Sequence, residues 1–229
     1  MSLGVVVHDE SQGLAAPVVV LLHGFMGCTE DLAPFAPSLG LSAQFVFPEG
    51  PVDLAPQGRR GRAWWPQDTD GSRPHAKGPR DLSEFVPHGL SEARRALENL
   101  LESLAFEAES RPIFLGGFSQ GAMLSCDLAL RTTRPLAGLV LFSGTRISHA
   151  EWCRLYSGRR ALRVFISHGR YDDDLSFGVA EAFQGELAAA GWNVTWLPFD
   201  GGHEVPLAVW RAFKRWLTQA AEGLASPLR

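Results

Sequence analysis

The sequence predicts a single α/β domain in which helices cover both faces of a mostly parallel β-sheet. Three observations predict it. The chain has 229 residues, of which 45% are hydrophobic, enough for one sizeable core. Short apolar runs alternate along the chain with amphipathic segments of helical period. Several of the apolar runs are continuous, which is typical of strands that are buried on both faces.

Six apolar runs predict the central strands. They are APVVVLLHG, AQFVFPEG, RPIFLGG, LAGLVLFSG, LRVFISHG and WNVTWLPFDGG. Each run leads into a glycine, a residue that lets a strand end in a tight turn. The segment GVVVHDE near the N-terminus predicts a further strand at the edge of the sheet.

The clearest helical pattern covers residues 89–108, with Ser91 as a candidate N-cap. Its apolar face consists of Leu90, Ala93, Leu97, Leu100, Leu101 and Leu104. A second helix is predicted directly after Ser119, a third over about residues 176–190 and a fourth over about residues 205–221. Helices between successive strands favour a parallel sheet that is covered on both sides.

Residues 51–88 interrupt this alternation with six prolines and no clear period. A loop of that length in a compact domain is usually functional, and we expect it near the active site. It contains the adjacent pair Trp64 and Trp65, which either plug onto the core or wall a substrate pocket. Neighbouring residues of an extended segment point to opposite sides, so at most one indole should face the site while the other anchors the loop.

Composition excludes several function classes. The formal net charge of −4 offers no electrostatic basis for binding nucleic acid or an anionic membrane. Cys28, Cys126 and Cys153 lack CxxC spacing, which argues against a disulfide framework and a structural zinc site. No signal-peptide core and no apolar run of membrane length is found. We therefore expect a cytoplasmic protein with no nucleic-acid partner and no stable membrane insertion.

A serine stands at the joint between a predicted strand and a predicted helix, in the segment GFSQG. A strained turn at that joint brings the chain close to its neighbours, so glycines are needed on either side. The start of the helix directs its dipole at any negative charge that develops there. This context predicts Ser119 as a nucleophile, and the alternative is a tight strand-to-helix connection without chemistry.

The partners of such a serine follow in the order serine, acid, histidine. The histidines after Ser119 are His149, His168 and His203. Residues 172–174 are three aspartates that follow a predicted strand, and only His203 comes after them. His203 is therefore the predicted base, and spacing alone leaves the three aspartates open. His168 precedes them and is interpreted as packing beneath their loop.

Two backbone N–H groups are predicted to bind the oxyanion. One belongs to Gln120, the residue after the serine, and the other to Phe25 in the segment LLHGFMG. Only the N–H of Phe25 is needed, so its side chain is free to shape the substrate pocket. His23 in the same segment is expected to organise the loop by hydrogen bonding.

Four motifs occur in a fixed order: LLHGFMG, GFSQG, HGRYDDDL and GGHEVP. Together they resemble the phospholipase/carboxylesterase family of α/β-hydrolases, which includes bacterial carboxylesterases and acyl-protein thioesterases. The resemblance covers most of the chain and implies an α/β-hydrolase fold without a large lid domain. The family pattern His-Gly-x-x-Asp-x-x-Val implies Asp172 as the acid, with Leu175 in place of the valine. The family also implies no metal and no organic cofactor, and its frequent dimers leave a homodimer open.

The motifs therefore predict a serine hydrolase that cleaves small-molecule carboxylic esters or thioesters through an acyl-enzyme. Its predicted catalytic residues are Ser119, Asp172 and His203, and its predicted acyl pocket consists of Phe25, Trp64 and Trp65. Thioesterase members tend to read HGLGDTG where this chain has HGFMGCT, so Phe25 and Met26 are bulkier. Two alternatives remain: a catalytically inactive binding protein on a hydrolase scaffold, and a peptidase or lactonase of the same fold.

Overall fold

The computed structural model describes residues 3–12, 16–66, 78–107 and 111–225. Its strands are β1 (Val5–Asp9), β2 (Val18–Leu22), β3 (Gln44–Pro48), β4 (Val52–Asp53), β5 (Arg62–Ala63), β6 (Ile113–Phe118), β7 (Gly138–Phe142), β8 (Arg163–Gly169) and β9 (Asn193–Phe199). Seven of them form one sheet in the order β1-β3-β2-β6-β7-β8-β9. Only β1 is antiparallel to its neighbour within this sheet, so the predicted mostly parallel sheet with an added edge strand is confirmed.

The helices are α1 (Phe35–Leu39), α2 (Leu90–Glu107), α3 (Gln120–Arg131), α4 (His149–Leu155), α5 (Phe177–Ala189) and α6 (Leu207–Ala225). The four predicted helices correspond to α2, α3, α5 and α6. Helices α1 and α4 have only 5 and 7 residues, too few to show a helical period in the sequence. The N-cap prediction for Ser91 is wrong, because α2 already begins at Leu90. Among the described helices, none has both the length and the apolar character that crossing a membrane requires.

Two apolar cores lie on opposite faces of the sheet. Val18, Val20 and Leu22 of β2 face one core, which α2, α3, α4 and α5 cover. The intervening residues of β2 face the other core, which α1 and α6 cover. Burial on both sides explains why the strand sequences are continuously apolar, and each fully buried side chain contributes about 1.5–3 kcal/mol.

The order of the strands determines where a ligand can bind. After β2 the chain pairs β3 on one side, and β6 later pairs on the other side of β2. The loops that follow β2 and β6 therefore diverge and leave a crevice at the carboxyl ends of these two strands. Ligands in open α/β sheets bind at such a switch point.

The segment predicted as a long loop is partly ordered by a small second sheet. Strands β4 and β5 pair antiparallel, with Val52 opposite Ala63. The turn that follows β2 joins them through a bridge between Gly27 and Arg62. Residues 67–77 of the predicted loop lie outside the described residues. The described part of this segment thus lies next to the crevice that the strand order creates.

Candidate active site

Ser119 lies between β6 and α3 in a strained backbone conformation, with φ 52° and ψ −114°. Such a conformation costs a residue other than glycine about 1–3 kcal/mol and persists only where the surroundings impose it. The N–H of Ser119 donates to the carbonyl of Phe142 on β7 over 2.9 Å, which holds the turn on the sheet. The turn places the serine hydroxyl at the start of α3.

The glycines around Ser119 are required by close backbone contacts. A Cβ atom at Gly117 would lie 2.4 Å from the carbonyl oxygen of Leu22. A Cβ atom at Gly121 would lie 2.4 Å from the same oxygen and 2.5 Å from that of His23. A side chain at either position would push the serine turn away from the end of β2. The structure therefore confirms the reason given for these glycines in the sequence.

The structure brings together Ser119, His203 and Asp172. His203 follows β9, Asp172 follows β8, and both loops lie at the carboxyl ends of their strands. Nδ1 of His203 lies 2.7 Å from Oδ2 of Asp172, and Nε2 lies 2.9 Å from Oγ of Ser119. An ionised carboxylate only accepts, so Nδ1 carries the proton and Nε2 accepts from the serine hydroxyl. Nε2 is thus in position to take the serine proton.

Asp172 is buried and fully hydrogen bonded. Its Oδ1 accepts from the N–H groups of Asp174 and Leu175, over 2.9 and 2.8 Å. Burial by itself would raise the pKa of the Asp172 carboxyl, but the bonds from His168, His203 and the Leu175 N–H outweigh it. The pKa of Asp172 therefore lies well below its ordinary value, and the carboxylate stays ionised at neutral pH.

The neighbouring aspartates occupy different environments. The side chain of Asp173 is exposed, and Asp174 forms an ion pair with Arg80 over 2.5 Å. The carboxylate of Asp174 comes no closer than 3.7 Å to Nε2 of His203. Asp172 alone contacts Nδ1 of His203, as the family pattern implies.

His168 has a contact that the sequence analysis missed. Its ring is buried, as the packing interpretation requires. Its Nε2 also lies 3.1 Å from Oδ2 of Asp172 and 3.2 Å from the carbonyl of Leu175, so one N–H serves two acceptors. The only signal in the sequence is its position four residues before the acid, and that spacing alone does not predict a contact.

Of the two predicted oxyanion donors, Gln120 follows Ser119 in the chain, and Phe25 lies in the turn after β2. A Cβ atom at Gly24 would lie 3.4 Å from that of Ser119, so the turn that carries Phe25 adjoins the serine. Within the described residues, the N–H groups of Phe25 and Gln120 donate to no other protein group. Both amides are therefore available to a ligand, and their role as an oxyanion hole stays a prediction.

His23 fixes the start of this turn. Its Nδ1–H donates to the carbonyl of Gly24 over 2.7 Å, and its Nε2 accepts from the N–H of Gly50 over 2.9 Å. Burial lowers the pKa of His23, which favours the neutral ring that this pattern requires. Both ring nitrogens are occupied, which confirms His23 as a loop organiser.

A cavity of about 330 Å³ opens beside His203. It is lined by Gly24, Phe25, Met26, Gly27, Asp31, Leu32, Phe35, Phe118, His203, Glu204, Val205 and Trp210. The ring of Phe118 packs on the ring of His203 with 4.8 Å between centroids. Phe25 thus lines a cavity next to the catalytic candidates, and its role in substrate binding stays a prediction.

The sequence profile of one family, described as phospholipase/carboxylesterase, matches residues 5–219. The chain belongs to this family. Acyl-protein thioesterase 1 of Eremothecium gossypii is 30% identical over 154 residues, which cover 62% of this chain and 57% of the thioesterase. The match therefore spans little more than half of that relative's length.

Solved structures of other proteins share the fold of this family member. Esterase PE8 superposes with a TM-score of 0.78 at 25% identity, covering 96% of this chain and 100% of the other. Acyl-protein thioesterase 2 of Zea mays superposes with a TM-score of 0.71 at 19% identity, covering 95% and 99%. The fold that the four motifs imply is thereby confirmed.

Trp64 and Trp65, which the sequence predicts as part of the acyl pocket, are buried in the structure. Each side chain is 1% exposed and belongs to the core, and neither lines the cavity beside His203. The side chain of Gln120 accepts from the N–H of Trp64 and donates to the carbonyl of Trp65. The indole N–H of Trp64 donates to the carbonyl of His23. Both tryptophans therefore anchor the segment, and the contact of one of them with substrate stays a prediction.

A separate group of potential metal ligands lies on α4 and α5. Donor atoms of His149, Cys153 and Glu186 lie within 4.8 Å of one another. The Glu186 carboxylate already pairs with Arg146 and with His149, the latter over 3.1 Å. These contacts describe an ion-pair network away from Ser119, and they satisfy the carboxylate without a metal.

Proposed function

We propose that the protein hydrolyses carboxylic esters or thioesters through an acyl-enzyme formed on Ser119. The proposal depends on one observation, the hydrogen-bond chain from Asp172 through His203 to Ser119, with distances of 2.7 and 2.9 Å. A serine hydroxyl becomes a nucleophile when a base accepts its proton and a third group orients that base. The names of the related esterases and thioesterases support the substrate class.

The first half of the reaction acylates the serine. Oγ of Ser119 bonds to the carbonyl carbon of the substrate while Nε2 of His203 takes its proton. The resulting imidazolium is stabilised by the ionised Asp172 beside Nδ1. The N–H groups of Phe25 and Gln120 bind the oxyanion, and the positive end of the α3 dipole adds to this stabilisation. Acylation is complete when His203 passes its proton to the leaving oxygen or sulfur, the carbonyl carbon loses that atom, and an acyl ester remains on Ser119.

The second half regenerates the enzyme. Water then attacks the acyl carbon while His203 takes a proton from it. Collapse of the second oxyanion releases the acid, and the proton returns to Oγ of Ser119.

A small-molecule ester or thioester is the proposed substrate, with its apolar part in the cavity beside His203. Seven of the lining residues are apolar: Phe25, Met26, Leu32, Phe35, Phe118, Val205 and Trp210. Ligand pockets generally combine such a lining with a few polar groups that fix orientation. Here the polar side chains are those of Asp31, His203 and Glu204.

A fluorophosphonate probe tests the proposal directly, because it reacts only with an activated serine. The wild-type protein should be labelled in a 1:1 ratio, and Ser119→Ala should not be labelled. Peptide mapping should place the adduct on Ser119. A folded wild-type protein that resists labelling would instead support a binding protein on a hydrolase scaffold.

The class of acyl compound needs a second measurement. Turnover should be compared for simple esters, thioesters, lactones and peptide amides at equal concentration. Esters and thioesters should exceed the others in kcat/KM. A preference for lactones or amides would leave the triad in place but change the assigned reaction to that of a lactonase or peptidase.

A further inference from the structure

The turn after β2 contains a methionine in an unusual backbone conformation. The N–H of Gly27 donates to the carbonyl of Gly24 over 3.2 Å, so residues 24–27 form a β-turn with Met26 in its third position. Met26 has φ 62°, and 47% of its surface is exposed. Turns with positive φ at the third position normally have glycine or asparagine there. Neither the turn nor the core therefore accounts for a methionine at this position.

The conformation of Met26 is imposed by the segment that includes β5. A Cβ atom at Gly61 would lie 2.1 Å from the carbonyl oxygen of Met26, so the two backbones are in direct contact. The N–H of Arg62 donates to the carbonyl of Gly27 over 2.9 Å. Strain that its surroundings hold in this way is concentrated in functional sites.

Met26 is one of the residues that line the cavity beside His203. The two carboxylates of the lining accept from backbone N–H groups: Asp31 from Cys28 over 2.9 Å and Glu204 from Gly202 over 3.4 Å. Among the described residues the lining contains no lysine or arginine, and the Arg59 guanidinium lies over the ring of Phe25, 5.9 Å from its centroid. Because the remaining walls are mostly apolar, the cavity suits an apolar group.

The chemistry of acylation determines which half of a substrate reaches this cavity. Nε2 of His203 must deliver its proton to the leaving atom, so the leaving group passes on the His203 side of the reacting carbon. His203 is the one member of the triad that lines the cavity. The ring of Phe118, which packs on His203, continues the same wall.

We propose that this cavity binds the apolar alcohol or thiol portion of the substrate, and that Met26 determines specificity for it. The proposal rests on the proposed function, since it presumes that Ser119 is acylated. The cavity of about 330 Å³ falls in the size range of small-molecule pockets, about 300–1,000 Å³. It is thus large enough to bind a group longer than the methyl of a methyl ester.

Two series of esters separate the two halves of the substrate. In the first, acetate esters of alcohols from methanol to nonanol vary only the leaving group, and turnover is followed by pH-stat titration. In the second, p-nitrophenyl esters from acetyl to decanoyl vary only the acyl group. The readout is the ratio of kcat/KM between the long and short members of each series.

Three variants of Met26 distinguish side-chain contact from backbone strain. Met26→Ala and Met26→Gly should each reduce the long-to-short ratio of the alcohol series by about tenfold or more. Met26→Leu should keep most of that ratio, because it retains an apolar side chain of similar size. Met26→Gly should have a higher Tm than Met26→Ala, because glycine adopts positive φ without strain. Val7→Ala is the matched control, since Val7 is 48% exposed on the edge strand, and it should change neither series.

Each other outcome overturns the inference. A ratio that changes in the acyl series and not in the alcohol series would assign the cavity to the acyl group. Ratios that stay constant in both series would show that the cavity binds no part of the substrate. A wild-type protein without turnover on any ester would instead overturn the proposed function, which the fluorophosphonate probe tests independently.

Discussion

Replacing Asp172 by asparagine tests the triad without changing the shape of the side chain. An asparagine places its oxygen on one side and its NH₂ on the other. Oδ1 of Asp172 faces the N–H groups of Asp174 and Leu175, whereas Oδ2 faces His203 and His168. The two orientations of the new amide therefore have different costs.

The two backbone N–H donors determine which orientation of the amide is more stable. An NH₂ group that faced the two N–H donors would leave both unpaired, at about 1–3 kcal/mol each, or about 2–6 kcal/mol together. The oxygen of the amide should thus keep the Oδ1 position, and the NH₂ group should face Nδ1 of His203. Nδ1 must then accept, so the ring proton moves to Nε2, which can no longer take the proton of Ser119.

The expected loss in kcat/KM for Asp172→Asn is about 10³- to 10⁴-fold near neutral pH, the size known from the serine-protease triad. Such a loss equals about 4–5.5 kcal/mol of transition-state stabilisation. Hydrolysis of p-nitrophenyl acetate measures it, and thermal unfolding shows whether the variant is folded. Asp173→Asn is the matched control, because the side chain of Asp173 is exposed, and it should stay close to wild type.

Two results would refute this reasoning. A folded Asp172→Asn variant that retained more than a tenth of the wild-type kcat/KM would show that the tautomer of His203 does not control the rate. An equal loss in Asp173→Asn would show that the loop is merely sensitive to substitution.

Four further outcomes are expected. Ser119→Ala should lower kcat for p-nitrophenyl acetate by about 10⁴- to 10⁶-fold with Tm unchanged. Ser143→Ala, which removes a buried hydroxyl bonded to the carbonyl of Glu204, should keep most of the activity. The reverse pattern would contradict the assignment of Ser119 as the nucleophile. Trp64→Ala should cost about 3–5 kcal/mol of unfolding free energy, because the indole is buried. It should leave the acyl-length preference of kcat/KM unchanged, since Trp64 does not line the cavity beside His203. A changed preference at constant Tm would instead show that Trp64 forms part of the acyl pocket. His168→Leu should cost about 1.5–3 kcal/mol of unfolding free energy, because it removes a donor to an ionised carboxylate, and an unchanged urea midpoint would contradict the contact. The pKa of Asp172 in the folded protein lies below its unfolded value of about 3.9, so the ionised carboxylate stabilises the fold fully above that pH and progressively less as the pH falls below it. The Tm difference between wild type and Asp172→Asn should therefore shrink from about pH 5 to about pH 2. A constant difference would count against this linkage.

The elements of the fold and the order of the candidate residues could be predicted from the sequence. Continuous apolar runs predict buried strands because the side chains of a strand alternate between two covered faces. The motif around Ser119 predicts a strained turn because glycine is needed where backbones meet, and the contacts of Gly117 and Gly121 agree. His203 could be selected by chain order alone. These inferences succeed because they depend on the local spacing of apolar residues and on the order of residues along the chain, and both can be read from the sequence.

How these parts contact one another could not be predicted, because it depends on tertiary packing. Spacing left three aspartates open, and the contact of Asp172 with His203 depends on how the loop after β8 folds around its own N–H groups. The burial of Trp64 depends on Gln120, 56 positions away in the sequence, whose amide binds its backbone. The cavity beside Met26 likewise joins the turn after β2 to α6 at the other end of the chain. Such contacts depend on the packing of distant segments, and no local pattern in a sequence records which side chains that packing brings together.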